Sequence, residues 1–356
     1  MNPNEQRLEY PFGDTLAAPG TAMEVADGLR WIRMPLPFAL DHINLWLLRD
    51  RIDGRDGWTI VDCGVNRPEV LELWQRIFDD EFEGLPVLRV IVTHMHPDHV
   101  GLAGWLCERW NAPVWMTATD YFVARLWSLP QADSRQTGGP NGEAAAAHFA
   151  RHGMTDPDAV EEIRQRASYY PSLVTPVPRS YRRMMHGDRF QIGGNEWRVI
   201  TGYGHAPEHA SLYCETLDVL ISGDMVLPRI STNVSVFDFE PEANPLPLYL
   251  NTLKRFDDLP ESTLVLPSHG KPFRGLHERL DQQHSHHADR LAEVMEACVA
   301  PMSTWDIVPV LFKRKLDLHQ MTFAMGEALA HLHALYFEGK LDRSLGEDGI
   351  YRFQRA

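Results

Sequence analysis

THMHPDHVG, residues 93–101, places three histidines and one aspartate within six positions, directly after the apolar stretch VLRVIV at 87–92. The four side chains are His94, His96, Asp98 and His99. Residues two apart on an extended chain point the same way, so the first two histidines can face one cation. The proline after them ends the extended segment, and the following turn can direct the last two side chains to a second position. Imidazole and carboxylate are ligands that zinc prefers, so the segment predicts a metal site.

Three later segments share a second pattern, in which an apolar run ends at a ligand-type residue beside a glycine. These residues are His205 in VITGYGHAPEH, Asp224 in DVLISGD and His269 in TLVLPSHG. Glycine permits a sharp turn or a close backbone approach at such points. Ends of strands that meet at one rim commonly carry functional residues. We therefore expect five histidines and two aspartates to gather at one site.

This ordered set resembles the metallo-β-lactamase-fold hydrolase superfamily, whose hallmark is the HxHxDH motif read here at 94–99. The resemblance extends over roughly residues 30–275. It implies an α+β protein with an αββα sandwich, in which two mixed β-sheets pack face to face with helices outside. The metals would then lie at one edge of the sandwich.

The resemblance also implies a role for each matching residue. His94, His96 and His205 would hold a first metal, Asp98, His99 and His269 a second, and Asp224 would bridge the two. Asp62, in the VDCG turn, would orient the ligand loop without binding metal. The implied cofactors are two divalent ions, with zinc favoured by five histidines and iron or manganese left open.

The chemistry that follows is hydrolysis by a metal-bound hydroxide. A bound cation lowers the pKa of water to about 7 and polarises a carbonyl oxygen. The leading hypothesis is a dinuclear metal-dependent hydrolase of an ester, thioester or lactone, with a metal site like that of glyoxalase II or the lactonases. Asp98 and Asp224 are predicted to be catalytic because they would hold the metals. His209, four residues after His205, is a candidate proton donor, with a packed structural histidine as the alternative.

Two other functions stay open at this point. A metal-dependent endoribonuclease or phosphodiesterase could use the same metals. One branch of the superfamily carries a winged-helix-like C-terminal appendage, and it includes an RNA-cleaving relative. Forty-nine acidic against 34 basic residues, a net charge of −15, argue against a nucleic-acid partner and favour a small-molecule substrate. A non-catalytic, metal-stabilised binding protein is the other alternative, and the intact ligand set argues against it.

The sequence pattern divides the chain near Gly275. Residues 1–275 would form the catalytic domain, with a helical insertion at about 119–185 laid over the site. Residues 276–356 would form a helical, winged-helix-like C-terminal domain, with a homodimer left open. Within the insertion, Tyr181, Arg182 and Arg183 are weak candidates for substrate binding, since arginine can clamp an anionic group. The closely spaced histidines at 284, 286 and 287 are expected on the solvent-facing side of a helix.

The cysteines and the apolar runs bear on the compartment. Four cysteines lie far apart with no CxxC pair, which is typical of reduced thiols in a cytoplasmic protein. No apolar run reaches the length of a membrane span. The first twenty residues lack the apolar core of a signal peptide. We therefore expect a cytoplasmic protein.

Overall fold

The computed structural model describes residues 4–128, 142–165 and 169–356, and in them two β-sheets lie face to face. The first sheet has seven strands in chain order, antiparallel from β1 to β4 and parallel from β4 to β7. They are β1 (Ala22–Ala26), β2 (Leu29–Pro35), β3 (His42–Ile52), β4 (Arg55–Val61), β5 (Val87–Ile91), β6 (Val114–Met116) and β7 (Tyr181–Arg183).

The second sheet has five strands in the order β12-β11-β10-β9-β8. Its pairs are antiparallel except for β11 with β12. The strands are β8 (Arg189–Ile192), β9 (Asn195–Gly202), β10 (His209–Cys214), β11 (Val219–Gly223) and β12 (Leu264–Pro267). Fully buried side chains such as Trp46 from the first sheet and Ile221 from the second fill the space between the sheets.

Helices cover the outer faces of both sheets. They are α1 (Pro68–Asp80), α2 (Pro97–Val100), α3 (Ala103–Trp110), α4 (Ala118–Trp127), α5 (Gly142–Arg151), α6 (Pro157–Gln165), α7 (Tyr169–Leu173), α8 (Pro245–Leu253), α9 (Leu276–Ala297), α10 (Thr304–Leu311) and α11 (Leu318–Phe337). Two 3₁₀ turns (Glu5–Arg7 and Lys254–Phe256) complete the helical elements of the described ranges. The α+β class and the αββα arrangement are confirmed. None of the helices in these ranges has the length and apolarity that a membrane crossing requires.

Helix α1 shows how the sequence pattern produces this layering. Pro68 lies in its first turn, where its missing N–H leaves no hydrogen bond unmade. Val70, Trp74 and Ile77 recur at helical spacing and are fully buried against the outer face of the first sheet. The spacing of these apolar residues thus accounts for the helix, which ends at Asp80.

The C-terminal elements pack onto the second sheet. Helices α9, α10 and α11 are followed by a hairpin of β13 (Leu341–Leu345) and β14 (Tyr351–Arg355). Val265 of β12 belongs to the same buried cluster as Ile307 of α10 and Leu329 of α11. The chain enters α9 through Gly275, whose φ of +100° suits glycine. The domain boundary near Gly275 stays a prediction, because these elements share one core.

The prediction that the α9 histidines face solvent is wrong for His287. Its side chain is fully buried, and its Nδ1 lies 3.2 Å from Nε2 of His331 on α11. The fold packs another helix against this side of α9, which composition alone does not reveal. The segment 119–185 is also not wholly helical, because its last residues form β7 of the first sheet. Its positions 129–141 and 166–168 lie outside the described residues.

Candidate metal centre

The predicted metal ligands lie where strands of both sheets end. The 94–99 cluster follows β5 of the first sheet and continues into α2. His205 follows β9, Asp224 directly follows β11, and His269 follows β12, all in the second sheet. The structure brings all seven side chains together, and the ligand atoms within each of three overlapping groups lie within 4.8 Å of one another. One of these groups, His94, His99 and Asp224, links the other two.

The first group consists of His94, His96 and His205. Nε2 of His94 lies 2.9 Å from Nδ1 of His96 and 3.2 Å from Nε2 of His205. Nitrogens bound tetrahedrally to zinc at the usual bond length are separated by about 3.3 Å. Burial lowers the pKa of His96 to about 3 and that of His94 far below its ordinary value. These neutral rings present lone pairs, as metal binding requires.

The second group consists of Asp98, His99 and His269. Oδ2 of Asp98 lies 3.4 Å from Nε2 of His269 and 3.6 Å from Nε2 of His99. Burial opposes protonation of His269, but Asp224 and Asp98 outweigh it and raise its pKa to about 10. The carboxylates therefore attract positive charge to this position, which a divalent cation satisfies.

Asp224 lies between the two groups. Its Oδ2 is 3.4 Å from Nε2 of His205, while its Oδ1 is 3.4 Å from Nε2 of His269 and 3.5 Å from Nε2 of His99. Oδ1 of Asp224 and Nε2 of His99 are both buried and make no hydrogen bond to any described residue. A buried polar atom without a partner is costly. A cation on each side of this carboxylate would satisfy both atoms, so the residues present fit the expected metals.

Asp62 is placed where it can orient the cluster. Its Oδ2 lies 2.7 Å from Nδ1 of His99, and its Oδ1 accepts the backbone N–H of Thr93 at 2.8 Å. Its φ of +63° is in the left-handed region, which Asp tolerates better than most residues. The contact leaves Nε2 of His99 directed at the site, as a metal ligand requires.

Backbone carbonyls hold two further rings in the same way. Nδ1 of His205 donates to the carbonyl of Asn233 at 2.7 Å, and Nδ1 of His269 donates to the carbonyl of His42 at 2.8 Å. Each contact fixes the tautomer that leaves Nε2 free to bind a cation.

The structure adds two positioning residues that sequence reasoning missed. Asp120 of α4 is fully buried and accepts the backbone N–H of Met95 at 2.8 Å and of Glu208 at 2.6 Å. It thereby joins the loops that carry the first metal group, and burial raises its pKa to about 7. Oε2 of Glu327 on α11 accepts a hydrogen bond from Nδ2 of Asn233 at 3.1 Å. No local pattern marks either residue, because both act through distant backbone.

His209 is fully buried within the ligand cluster. Its Nε2 accepts the backbone N–H of Asp224 at 3.1 Å, and its ring centroid lies 4.9 Å from that of His94. This geometry favours a positioning role over the proton-donor role, which stays a prediction.

Tyr181, Arg182 and Arg183 lie on β7 at the edge of the first sheet. Tyr181 stacks on Tyr121 with centroids 3.7 Å apart, and the guanidinium of Arg182 lies 4.2 Å from the ring centroid of Trp115. None of the three lines the cavity beside the metal cluster. Their role in substrate binding stays a prediction without a contact to support it.

A cavity of about 280 Å³ opens beside His96. Its wall includes apolar side chains from several elements, among them Met95, Trp127, Phe149, Tyr170, Phe239 and Phe323. A larger pocket of about 580 Å³, between Arg189, Tyr213 and Asp258, shares no residue with the ligand cluster. Proximity to the ligands, not size, makes the smaller cavity the candidate substrate site.

Comparison with known proteins supports the same assignment. A model of the metallo-β-lactamase superfamily matches residues 39–269, and a model of the metallo-β-lactamase-like C-terminal domain matches residues 291–356. The chain is similar to a β-lactamase domain protein from Burkholderia ambifaria of known crystal structure, with 57% identity, full coverage of both chains and a TM-score of 0.93. It is 24% identical to the probable metallo-hydrolase YqjP of Bacillus subtilis (strain 168), over 86% of this chain and 92% of that protein.

A shorter similarity involves the hydroxyacylglutathione hydrolase of Haemophilus ducreyi, with 32% identity over 23% of this chain and 32% of that protein. With a model matching more than half of its length, the chain belongs to the metallo-β-lactamase superfamily. The fold, the His/Asp cluster and the metallo-hydrolase relatives define a metal-dependent hydrolase.

Proposed function

We propose that the protein hydrolyses an ester, thioester or lactone with two divalent cations, of which zinc suits five imidazoles best. The observation that carries the proposal is Asp224, whose two oxygens face two separate groups of ligand atoms. When bound, the cations would lower the pKa of water and polarise the substrate carbonyl.

The chain's own residues supply position and environment. Asp62 and the carbonyls of Asn233 and His42 orient the imidazoles, while His209 holds the backbone of Asp224. The cavity beside His96 is mainly apolar, so a bound substrate would displace water from the reacting carbonyl. The partial similarity to a hydroxyacylglutathione hydrolase supports the acyl-transfer class without selecting one substrate.

Elemental analysis of the purified protein followed by a substrate panel tests this proposal. The panel contains a thioester, a lactone, a simple ester, a β-lactam and labelled RNA, each with and without a chelator. We expect chelator-sensitive hydrolysis of acyl substrates, restored by adding zinc. Chelator-sensitive cleavage of the RNA alone would replace this proposal with the endoribonuclease alternative, and turnover that survives complete metal removal would contradict it.

Asp224→Ala provides the matched genetic test. The substitution removes both bridging oxygens, so we expect a loss of at least about a hundredfold in kcat/KM together with a lower metal content. Asp342→Ala, at an exposed position on β13, is the control and should change neither quantity. Normal metal content and activity in Asp224→Ala would count against two bridged cations.

Compartment and assembly are proposed on separate grounds. All four cysteines are buried and unpaired, which supports the proposed cytoplasmic location. The order of helices followed by the β13–β14 hairpin supports a winged-helix-like C-terminal unit. A homodimer stays a proposal, and sedimentation of the purified protein tests it.

A further inference from the structure

The cavity beside His96 is assembled from three parts of the chain. Trp127 of α4 and Phe149 of α5 come from the segment between β6 and β7 of the first sheet. Phe239 comes from the loop before α8, and Phe323 comes from α11 near the C-terminus. One metal-ligand residue, His96, therefore lies in the wall of a cleft whose other sides are built mainly by helices and loops outside the two sheets.

The walls of this cleft present aromatic side chains that the described parts of the chain leave partly exposed. Phe239 is 45% exposed and Phe323 is 40% exposed, although both line the cavity. The ring of Phe239 lies 5.3 Å from that of Phe237 and 5.2 Å from that of Trp127, by centroid distance. A concave apolar surface with a few polar groups is the usual composition of a small-molecule site. An apolar ligand complements such a surface best.

The charged residues of the cleft indicate which class of ligand it favours. Among the described residues that line it there is no lysine or arginine, and Asp238 is the one carboxylate. Among these described lining residues, a phosphate, a nucleotide or an RNA backbone would therefore meet no lysine or arginine to compensate its charge. A neutral aliphatic or aromatic chain meets no such difficulty.

The position of α11 in this wall is set by a close backbone approach. A Cβ at Gly326 would lie 2.6 Å from Oγ of Ser235, so only glycine lets the helix pack this closely on the 233–237 loop. Ser235 in turn donates to Oδ1 of Asn233 at 2.7 Å. The C-terminal helix is thus held at the cleft, where Phe323 projects into it.

We propose that this cleft binds the apolar acyl chain of the substrate, with the scissile carbonyl directed at the metal ligands beside His96. The inference rests on the proposed function and gives it a substrate class, the medium-chain acyl ester, thioester or acyl-bearing lactone. The volume of about 280 Å³ lies just below the usual range for ligand pockets, which favours a chain of medium length over a long one.

Two measurements on the zinc-loaded, full-length protein test the proposal. The first is calorimetric titration with octanoate and with acetate, which carry the same carboxylate and differ only in the chain. The second is hydrolysis of p-nitrophenyl octanoate and p-nitrophenyl acetate. Each buried methylene contributes up to about fourfold, so we expect octanoate to bind at least about tenfold more tightly, and kcat/KM to favour the octanoyl ester similarly.

Variants connect the preference to the cleft. Phe323→Ala should reduce the octanoyl preference about tenfold, and Phe239→Ala should act in the same direction. Phe337→Ala is the matched control, because this phenylalanine lies on the same helix, is 49% exposed and does not line the cleft. Both test residues are partly exposed, so their replacement preserves the fold.

The outcomes separate this inference from the proposed function. Chelator-sensitive hydrolysis of both esters with no chain preference, or a preference unchanged in both cleft variants, overturns the acyl cleft and leaves the hydrolase proposal intact. Octanoate binding that depends on Phe323 without hydrolysis of either ester supports the cleft and overturns the proposed function. Equal binding of octanoate and acetate overturns the cleft in either case.

Discussion

The position of Asp224 depends on the two residues that its backbone meets. Its N–H donates to Nε2 of the buried His209, and the preceding Gly223 has a φ of +57°. A Cβ on Gly223 would lie 2.2 Å from the same nitrogen. A histidine ring therefore occupies the space of the missing side chain and fixes the carboxylate between the two groups of imidazoles.

Gly223→Ala should disturb this arrangement more than an ordinary glycine substitution. We expect a loss of about 2–4 kcal/mol in the free energy of unfolding, because strain at positive φ adds to a steric clash. Gly349→Ala is the control, since Gly349 also has a positive φ, of +76°, but nothing lies within 4 Å of its Cβ position. It should lose only about 1 kcal/mol. Urea unfolding measures both values, and equal losses would show that His209 does not constrain this position.

Asp62→Asn should weaken metal binding without unfolding the protein. Asparagine tolerates the left-handed φ of +63° at this position, so the backbone is preserved. The neutral amide no longer polarises or orients His99 as the carboxylate does at 2.7 Å. Loss of such a contact typically lowers metal affinity 10–100-fold. Competition with a chelator of known affinity measures the change, and an unaltered affinity at normal circular dichroism would remove Asp62 from this role.

At the level of elements, local sequence specifies the strands and helices better than their partners. The apolar runs that end in glycine and a ligand residue predict the ends of β9 and β11, and periodicity predicts α1. The same reasoning predicts that α9 and α11 are helices, but it does not predict that they pack against each other. His287 is therefore buried, although the sequence analysis expects it to be exposed. In the sequence alone, Glu327 is likewise only a polar residue in an apolar helix. Its contact with Asn233 joins residues 94 positions apart, and local patterns carry no information on such pairs.

Glu327→Gln tests how burial affects the carboxyl group of Glu327 on α11. Burial raises the pKa of Glu327 from 4.5 to about 7, so its protonated form favours the folded state. This stability is complete below about pH 4.5 and is lost as the pH rises through 7. The uncharged glutamine escapes the loss, and between pH 5 and pH 8 the variant should gain up to about 3 kcal/mol relative to the unsubstituted protein.

Urea unfolding of both proteins at the two pH values gives this difference directly. Glu347→Gln is the control for the loss of one carboxylate, because Glu347 is exposed in the turn of the C-terminal hairpin. A Glu327→Gln variant whose stability follows the unsubstituted protein at both pH values would mean that the carboxyl titrates as in water.

At the level of the whole molecule, the site joins the two sheets. The first sheet supplies the 94–99 cluster, and the second supplies His205, Asp224 and His269. The αββα arrangement could be inferred from the motif and its resemblance to a superfamily. The acyl cleft could not, because its walls combine α4, α5, the 235–239 loop and α11, which come together only in the folded chain.

Metal binding should therefore stabilise the packing of one sheet on the other. The ligands meet only in the folded state, so a bound cation favours that state over the unfolded chain. Free zinc at a hundred times its dissociation constant should add about 2.7 kcal/mol per site to the free energy of unfolding. Calorimetric melting across a series of buffered zinc concentrations measures this as a rising transition temperature. Asp224→Ala should flatten the dependence, whereas Phe337→Ala should follow the unsubstituted protein. A transition temperature that does not change at any zinc concentration would show that the ligand cluster does not bind zinc. A cation bound only by the folded state must raise the free energy of unfolding, because unfolding separates its ligands.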